Sequence, residues 1–94
     1  MHTKKRFMER YGIRMFTRHI FGIISDILSE NAEKIEFTST RPGGELYKVR
    51  FEGNQYFVIF DVDTIMLRTV LSKNQVIRGL RADARRAKFK ELNS

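Results

Sequence analysis

The 94-residue chain has no cysteine, no tryptophan and a single proline. Without cysteine there is no disulfide framework and no thiolate zinc site, and a reducing, cytoplasmic setting fits. No apolar run approaches the ~18–20 residues that cross a bilayer, so membrane insertion is not expected. The basic N-terminal residues are not followed by the continuous apolar segment of a secretory signal. There is no internal repeat, P-loop, dinucleotide fingerprint or zinc spacing, and neither a metal nor a cofactor is expected. Side chains that titrate near neutrality are scarce: His2 and His19 are the two histidines.

Positive charge is plentiful and unevenly placed. Residues 1–22 carry six cations and one acid, residues 73–94 seven cations and two acids, and residues 23–72 five cations and eight acids. The blocks stand at +5, +5 and −3 and make up the net +7. Two basic ends around a mildly acidic middle create a localised positive field of the kind that attracts polyphosphates. Hydrophobic residues make up 41% of the chain, with eight Phe, enough for the core of one domain spanning residues 1–94.

The pattern of apolar residues changes period along the chain. A first helix is expected from Thr3 to Tyr11, ended by Gly12 in a left-handed conformation. A second starts at Thr17 as N-cap, with Phe16 and Phe21 forming a hydrophobic staple. It carries a stripe of Ile20, Ile23, Ile24, Ile27 and Leu28 and runs to about Asn31. The period then becomes two. Ile35 and Phe37 alternate with Glu36 and Thr38, and Arg41 to Glu45 ("RPGGE") is loop material. Tyr47, Val49 and Phe51 alternate with Lys48, Arg50 and Glu52, Gly53-Asn54 is the hairpin turn, and Tyr56 to Phe60 ("YFVIF") is a central strand apolar on both faces. Residues 65–71 form the last strand. Ser72 and Gln75 make a capping box for a C-terminal helix over 73–94 with loose last turns. Its apolar stripe is Ile77, Leu80, Ala84 and Ala87; its basic stripe is Arg78, Arg81, Arg85 and Lys88. The expected class is α+β: helices on one face of an antiparallel sheet of about four strands, followed by a basic helix.

The opening "H-x3-R-F-x-E-R-Y-G-I", the hairpin "ELYKVRFEGNQYFVIFD" and the strand ending "RTVL" resemble small bacterial and phage-type domains near the RelE/ParE-like toxins. These belong to the barnase–EndoU–colicin–RelE ribonuclease superfamily. The resemblance spans roughly residues 2–73. It implies RNA held between the first helix and the sheet, with cleavage independent of metal and an antitoxin as a further partner. By position, His2, Arg6 and Arg10 would be the helix contribution and the catalytic one, and Lys48 and Arg50, with Arg68 and Thr69 from the last strand, would be the strand contribution, Lys48, Arg50 and Arg68 as nucleic-acid contacts. The C-terminal catalytic Arg or Tyr of the ribosome-dependent toxins has no counterpart.

Metal-free RNA cleavage needs a general base, a general acid and cations on the phosphate. Cations are abundant here, whereas only His2 and His19 are ready proton carriers. Lys4, Lys5, Arg14, Arg18 and the stripe of Arg78, Arg81, Arg85 and Lys88 are candidate phosphate contacts. His19 reads as a packing residue in the first turn of its helix. Asp61 and Asp63 flank a turn and read as caps of their own backbone rather than as metal ligands. Basic amphipathic helices also suit a membrane surface, but Ile20 to Leu28 is better explained by packing on the sheet. The expected function is nucleic-acid binding, RNA ahead of DNA, with endoribonuclease activity as an extension. The alternative is a non-enzymatic phage-type inhibitor or regulator that holds DNA or an acidic host protein surface.

Overall fold

The computed structural model describes the backbone of residues 2–37 and 41–93 and the side chains of residues 3–37 and 41–88. Two N-terminal helices, α1 (His2–Tyr11) and α2 (Thr17–Leu28), precede strands β1 (Glu33–Ile35), β2 (Gly44–Phe51), β3 (Asn54–Asp61) and β4 (Met66–Leu71). The chain closes with a 21-residue helix, α3 (Lys73–Asn93). The strands form one antiparallel sheet in the order β1-β2-β3-β4. The class is α+β.

Alternation along the strands divides the apolar residues between two faces. On one face Val49, Tyr56, Val58 and Phe60 pack with Phe7 of α1, Met15, and Ile20, Ile23, Ile24 and Ile27 of α2, with Tyr47 and Phe51 alongside. On the other, Leu46 and Ile59 pack with Val76 of α3, flanked by Ile35, Phe37, Phe57 and Leu71. β3 is apolar on both faces because both are covered. The expectation that all helices share one face is corrected: α3 starts on the face opposite α1 and α2.

α1 covers the outer edge of β4. Its Thr3, Phe7 and Tyr11 are spaced by four and lie on one side of the helix. The Thr3 hydroxyl donates to the carbonyl of Leu67 (3.1 Å) and the Tyr11 hydroxyl to the carbonyl of Leu71. Phe7, fully buried between them, meets Tyr56 edge-on with ring centroids 5.5 Å apart. Burial raises the Tyr11 phenol above its ordinary pKa.

Several local expectations shift. Gly12 does end α1 in the left-handed region (φ 65). α2, however, is N-capped by Phe16, which has no side-chain acceptor; Thr17 is its first residue. Phe16 and Phe21 are 43% and 53% exposed, so they form no staple. α2 ends by donation from Asn31 to Asp26 and from Glu30 to Ile27, with Glu30 at φ 61. This is the double bond of a Schellman motif with glutamate where glycine is usual. In the hairpin, Phe51 pairs with Asn54, so the turn residues are Glu52 and Gly53 rather than Gly53-Asn54. Both have positive φ (50 and 79), as a two-residue hairpin loop matched to strand twist requires. The Ser72–Gln75 capping box is present in both directions.

The expected apolar stripe of α3 is not the side that packs. Leu80, Ala84 and Ala87 are exposed, whereas Val76 is buried. Gly79 lies against the ring of Phe37, where a Cβ would overlap the ring. That contact rotates α3 so that Val76 and Gly79 face the sheet.

The two helix-interior glycines should therefore respond oppositely to alanine. Nothing lies within 4 Å of a Cβ at Gly22 in α2, so Gly22→Ala should raise the unfolding free energy by about 0.5–1 kcal/mol. Gly79→Ala gains the same propensity but unseats Phe37, and should lower it by about 1 kcal/mol. Urea unfolding of both variants checks this. An increase in both would mean that Phe37 does not rest on the helix.

Candidate nucleic-acid interface

The cations fall into groups with different degrees of internal commitment. In α1, Lys5 and Arg6 share Glu9, at 4.0 and 2.8 Å. Lys4 donates to the hydroxyl of Thr17 (2.7 Å). Arg10 donates to the side-chain carbonyl of Gln75, which also accepts from the Ser72 amide. Lys4 and Arg10 thus tie α1 to the starts of α2 and α3. The side chain of His2 lies outside the described residues.

Lys48 and Arg68 are also engaged. Lys48 pairs with Glu33 on the neighbouring strand at 2.8 Å. Arg50 is exposed beside Gln55. Arg68 is the extra residue of a β-bulge, since Ile59 pairs with Thr69 and Phe60 with Leu67. Its Nε donates to Asp61 (2.6 Å), Nη1 to the carbonyl of Arg41 (3.1 Å) and Nη2 to that of Pro42 (2.8 Å). Glycine at 43 and 44 makes this clamp possible: a Cβ at Gly43 would sit 3.0 Å from Nη2, and one at Gly44 2.7 Å from Nη1. "RPGGE" is therefore shaped around Arg68, which sequence reasoning missed because the bulge that presents Arg68 leaves no local signature.

A groove between α1 and the rows of Lys48 and Arg50 does not form. α1 packs on β4, whereas Lys48 and Arg50 lie on β2 and alternate with Val49. Val49 faces the two helices, so its neighbours point to the α3 side.

Two groups remain outward. At the junction of α1 and α2, the guanidinium groups of Arg14 and Arg18 lie 5.4 and 5.2 Å from the centroid of the Phe16 ring. His19 lies between Phe16 (5.4 Å) and Phe51 (4.8 Å). Its Nδ1 accepts the Phe16 amide at 3.3 Å. In place, His19 caps and packs. The second group is the stripe on α3. At 100° per residue, Arg78, Arg81, Arg85 and Lys88 fall within an arc of about 80°, centred about 180° from the Val76–Gly79 side. All four are exposed. None makes an ion pair among the described residues; the α3 pair that is formed joins Arg86 to Asp83 at 3.9 Å.

Asp61 Oδ1 accepts the amides of Asp63 (2.9 Å) and Thr64 (3.0 Å), the self-capping turn that the spacing suggests. Among the described residues no group of three or more His, Cys, Asp or Glu side chains is placed to hold a metal ion. No helix of the described residues is long and apolar enough to cross a membrane. No family model matches the chain, and no curated protein or solved structure matches it significantly.

The Thr64 amide first, then the Arg68 guanidinium, hold the Asp61 carboxyl down at about 2, below its ordinary 3.8. A carboxyl lowered on folding stabilises the fold above its unfolded pKa and loses that contribution as pH falls through the folded one. Wild-type stability should therefore drop between about pH 4 and pH 2 by more than that of Asp61→Asn. Urea midpoints across this range test the point; parallel curves would mean that the Asp61–Arg68 clamp contributes nothing.

Proposed function

We propose that this protein binds nucleic acid through the outward face of α3 and holds the strand without cutting it. The observation that carries this reading is the stripe of Arg78, Arg81, Arg85 and Lys88. Four exposed cations, turned away from the sheet, have no acid partner among the described residues. From Arg78 to Lys88 the helix rises about 15 Å, long enough to run beside consecutive phosphates of one strand. Placing RNA ahead of DNA, in a cytoplasmic setting, rests on the resemblance to RelE-like ribonucleases. Cleavage would require a proton carrier beside the cations. The stripe consists of arginine and lysine and includes no histidine or carboxylate, and His19 is occupied with Phe16 and Phe51 on the other side of the sheet.

Four phosphate contacts should make affinity fall on the order of 10²-fold between about 50 and 200 mM salt. The triple variant Arg81→Gln, Arg85→Gln, Lys88→Gln should keep the wild-type melting temperature. Its affinity for a single-stranded RNA should fall at least tenfold, and the slope of log affinity against log salt should shrink by about 2–3. Fluorescence anisotropy with labelled RNA and DNA of one sequence reads both quantities. Tight binding unaffected by salt, or a triple variant with wild-type affinity, would overturn the proposal and favour an acidic protein surface as partner.

A further inference from the structure

α3 leaves the sheet at a shallow contact, and beneath its first two turns is a cavity of about 340 Å³. Its walls are apolar: the ring of Phe37, the side chains of Ile59 and Leu71, and the α3 backbone at Gly79. This volume lies at the small end of the range for ligand sites, and apolar walls with a few polar groups at the rim are their usual make-up.

The rim has a one-sided chemistry. Arg41, Arg68, Thr69 and Gln75 line it, and among the described residues no carboxylate does. Arg68 has five N–H groups, of which Nε, one on Nη1 and one on Nη2 are donated to Asp61, Arg41 and Pro42. Two remain. The Gln75 carbonyl is already shared by Arg10 and Ser72, which leaves its amide N–H groups. Arg41 is exposed and brings a full charge. The spare capacity at the rim is therefore almost entirely that of donors, above an apolar floor. Such a site suits a ligand with an apolar body and an anionic end and disfavours an amine, which would find no acceptor of matching charge.

We propose that this cavity is a binding site for a small apolar carboxylic acid, with the hydrocarbon between Phe37, Ile59, Leu71 and Gly79 and the carboxylate on Arg41 and the free N–H groups of Arg68. The site is separate from the outward face of α3 and does not depend on nucleic-acid binding.

Titration of the ¹⁵N-labelled protein with octanoate, 1-octanol and octylamine tests the assignment. Octanoate should give saturable shifts confined to the amides around Thr69, Leu71 and Gly79. 1-Octanol should bind at least tenfold more weakly, and octylamine should leave these amides unmoved. Thr69→Trp, which fills the cavity, should abolish the octanoate shifts. Arg41→Gln, at an exposed position, should keep the fold and reduce octanoate to the level of 1-octanol; this variant decides the matter even if Thr69→Trp fails to fold. The proposal is overturned if octanoate causes no shifts, if the shifts scatter over exposed apolar residues such as Met8, Phe21 and Leu28, or if Arg41→Gln binds octanoate like the wild type.

Discussion

The outer edge of β4 is the constraint around which this domain is arranged. A sheet edge offers unpaired backbone groups, and an uncovered one invites pairing with other chains. Here α1 lies along that edge, and two hydroxyls about two helical turns apart, Thr3 and Tyr11, donate to the carbonyls of Leu67 and Leu71. Phe7 between them inserts into the main core, so one helix face supplies both the polar and the apolar part of the seal. The cationic ridge of Arg6 and Arg10, one position before Phe7 and Tyr11, is a by-product of this docking. Arg10 reaches Gln75 because α1 is fixed where β4 hands over to α3. A charge-removing change at Arg10 thus acts on the joint between two helices as well as on the electrostatic field.

β3 divides the molecule into unequal halves. The half under α1 and α2 holds twelve buried residues in one cluster, and the half under α3 holds three. A helix anchored by Val76 and a glycine–phenylalanine contact has little apolar area to lose. Its remaining described turns are mostly exposed and rest largely on helix propensity and the Ser72–Gln75 cap. That imbalance leaves the face of α3 free for a partner and the cavity beneath it open.

What the sequence made legible was local. The change of period, the four buried isoleucines of the α2 stripe, whose fifth member Leu28 is exposed, the two-sided apolar character of β3, the Gly12 terminus, the Asp61 turn and the capping box of α3 all depend on neighbours a few residues apart. What it hid depends on distant partners. The orientation of α3 is set by Phe37, 42 positions before Gly79, so its own periodicity pointed to the wrong stripe. The hairpin turn fell one residue early because backbone twist places Glu52, with φ 50, where asparagine would be the obvious signal. Arg68 looked like a strand cation in line with Thr69; the bulge turns it toward the Arg41–Pro42 carbonyls. Arg14 and Arg18 were visible as charges, but their convergence on Phe16 needed the bend between α1 and α2.

The same distinction decides where the net charge acts. In the middle of the chain, acids and bases meet: Glu33 with Lys48, Glu45 with Lys34, Asp61 with Arg68. Glu9 serves two cations of α1. Surface pairs of this kind generally contribute little to stability, but each removes a cation from the pool that a phosphate can reach without competition. Apart from the exposed Arg41 and Arg50, the charge left over sits at the α1–α2 junction and on α3, and the sheet separates these two surfaces. A short strand cannot lie on both. The junction cations already rest on the Phe16 ring, whereas those of α3 form a continuous row spaced along a straight axis. The row is the surface that matches a polymer of regularly repeated negative charge, which is why the position of the cations, more than their number, supports the reading of this molecule as a nucleic-acid-binding protein.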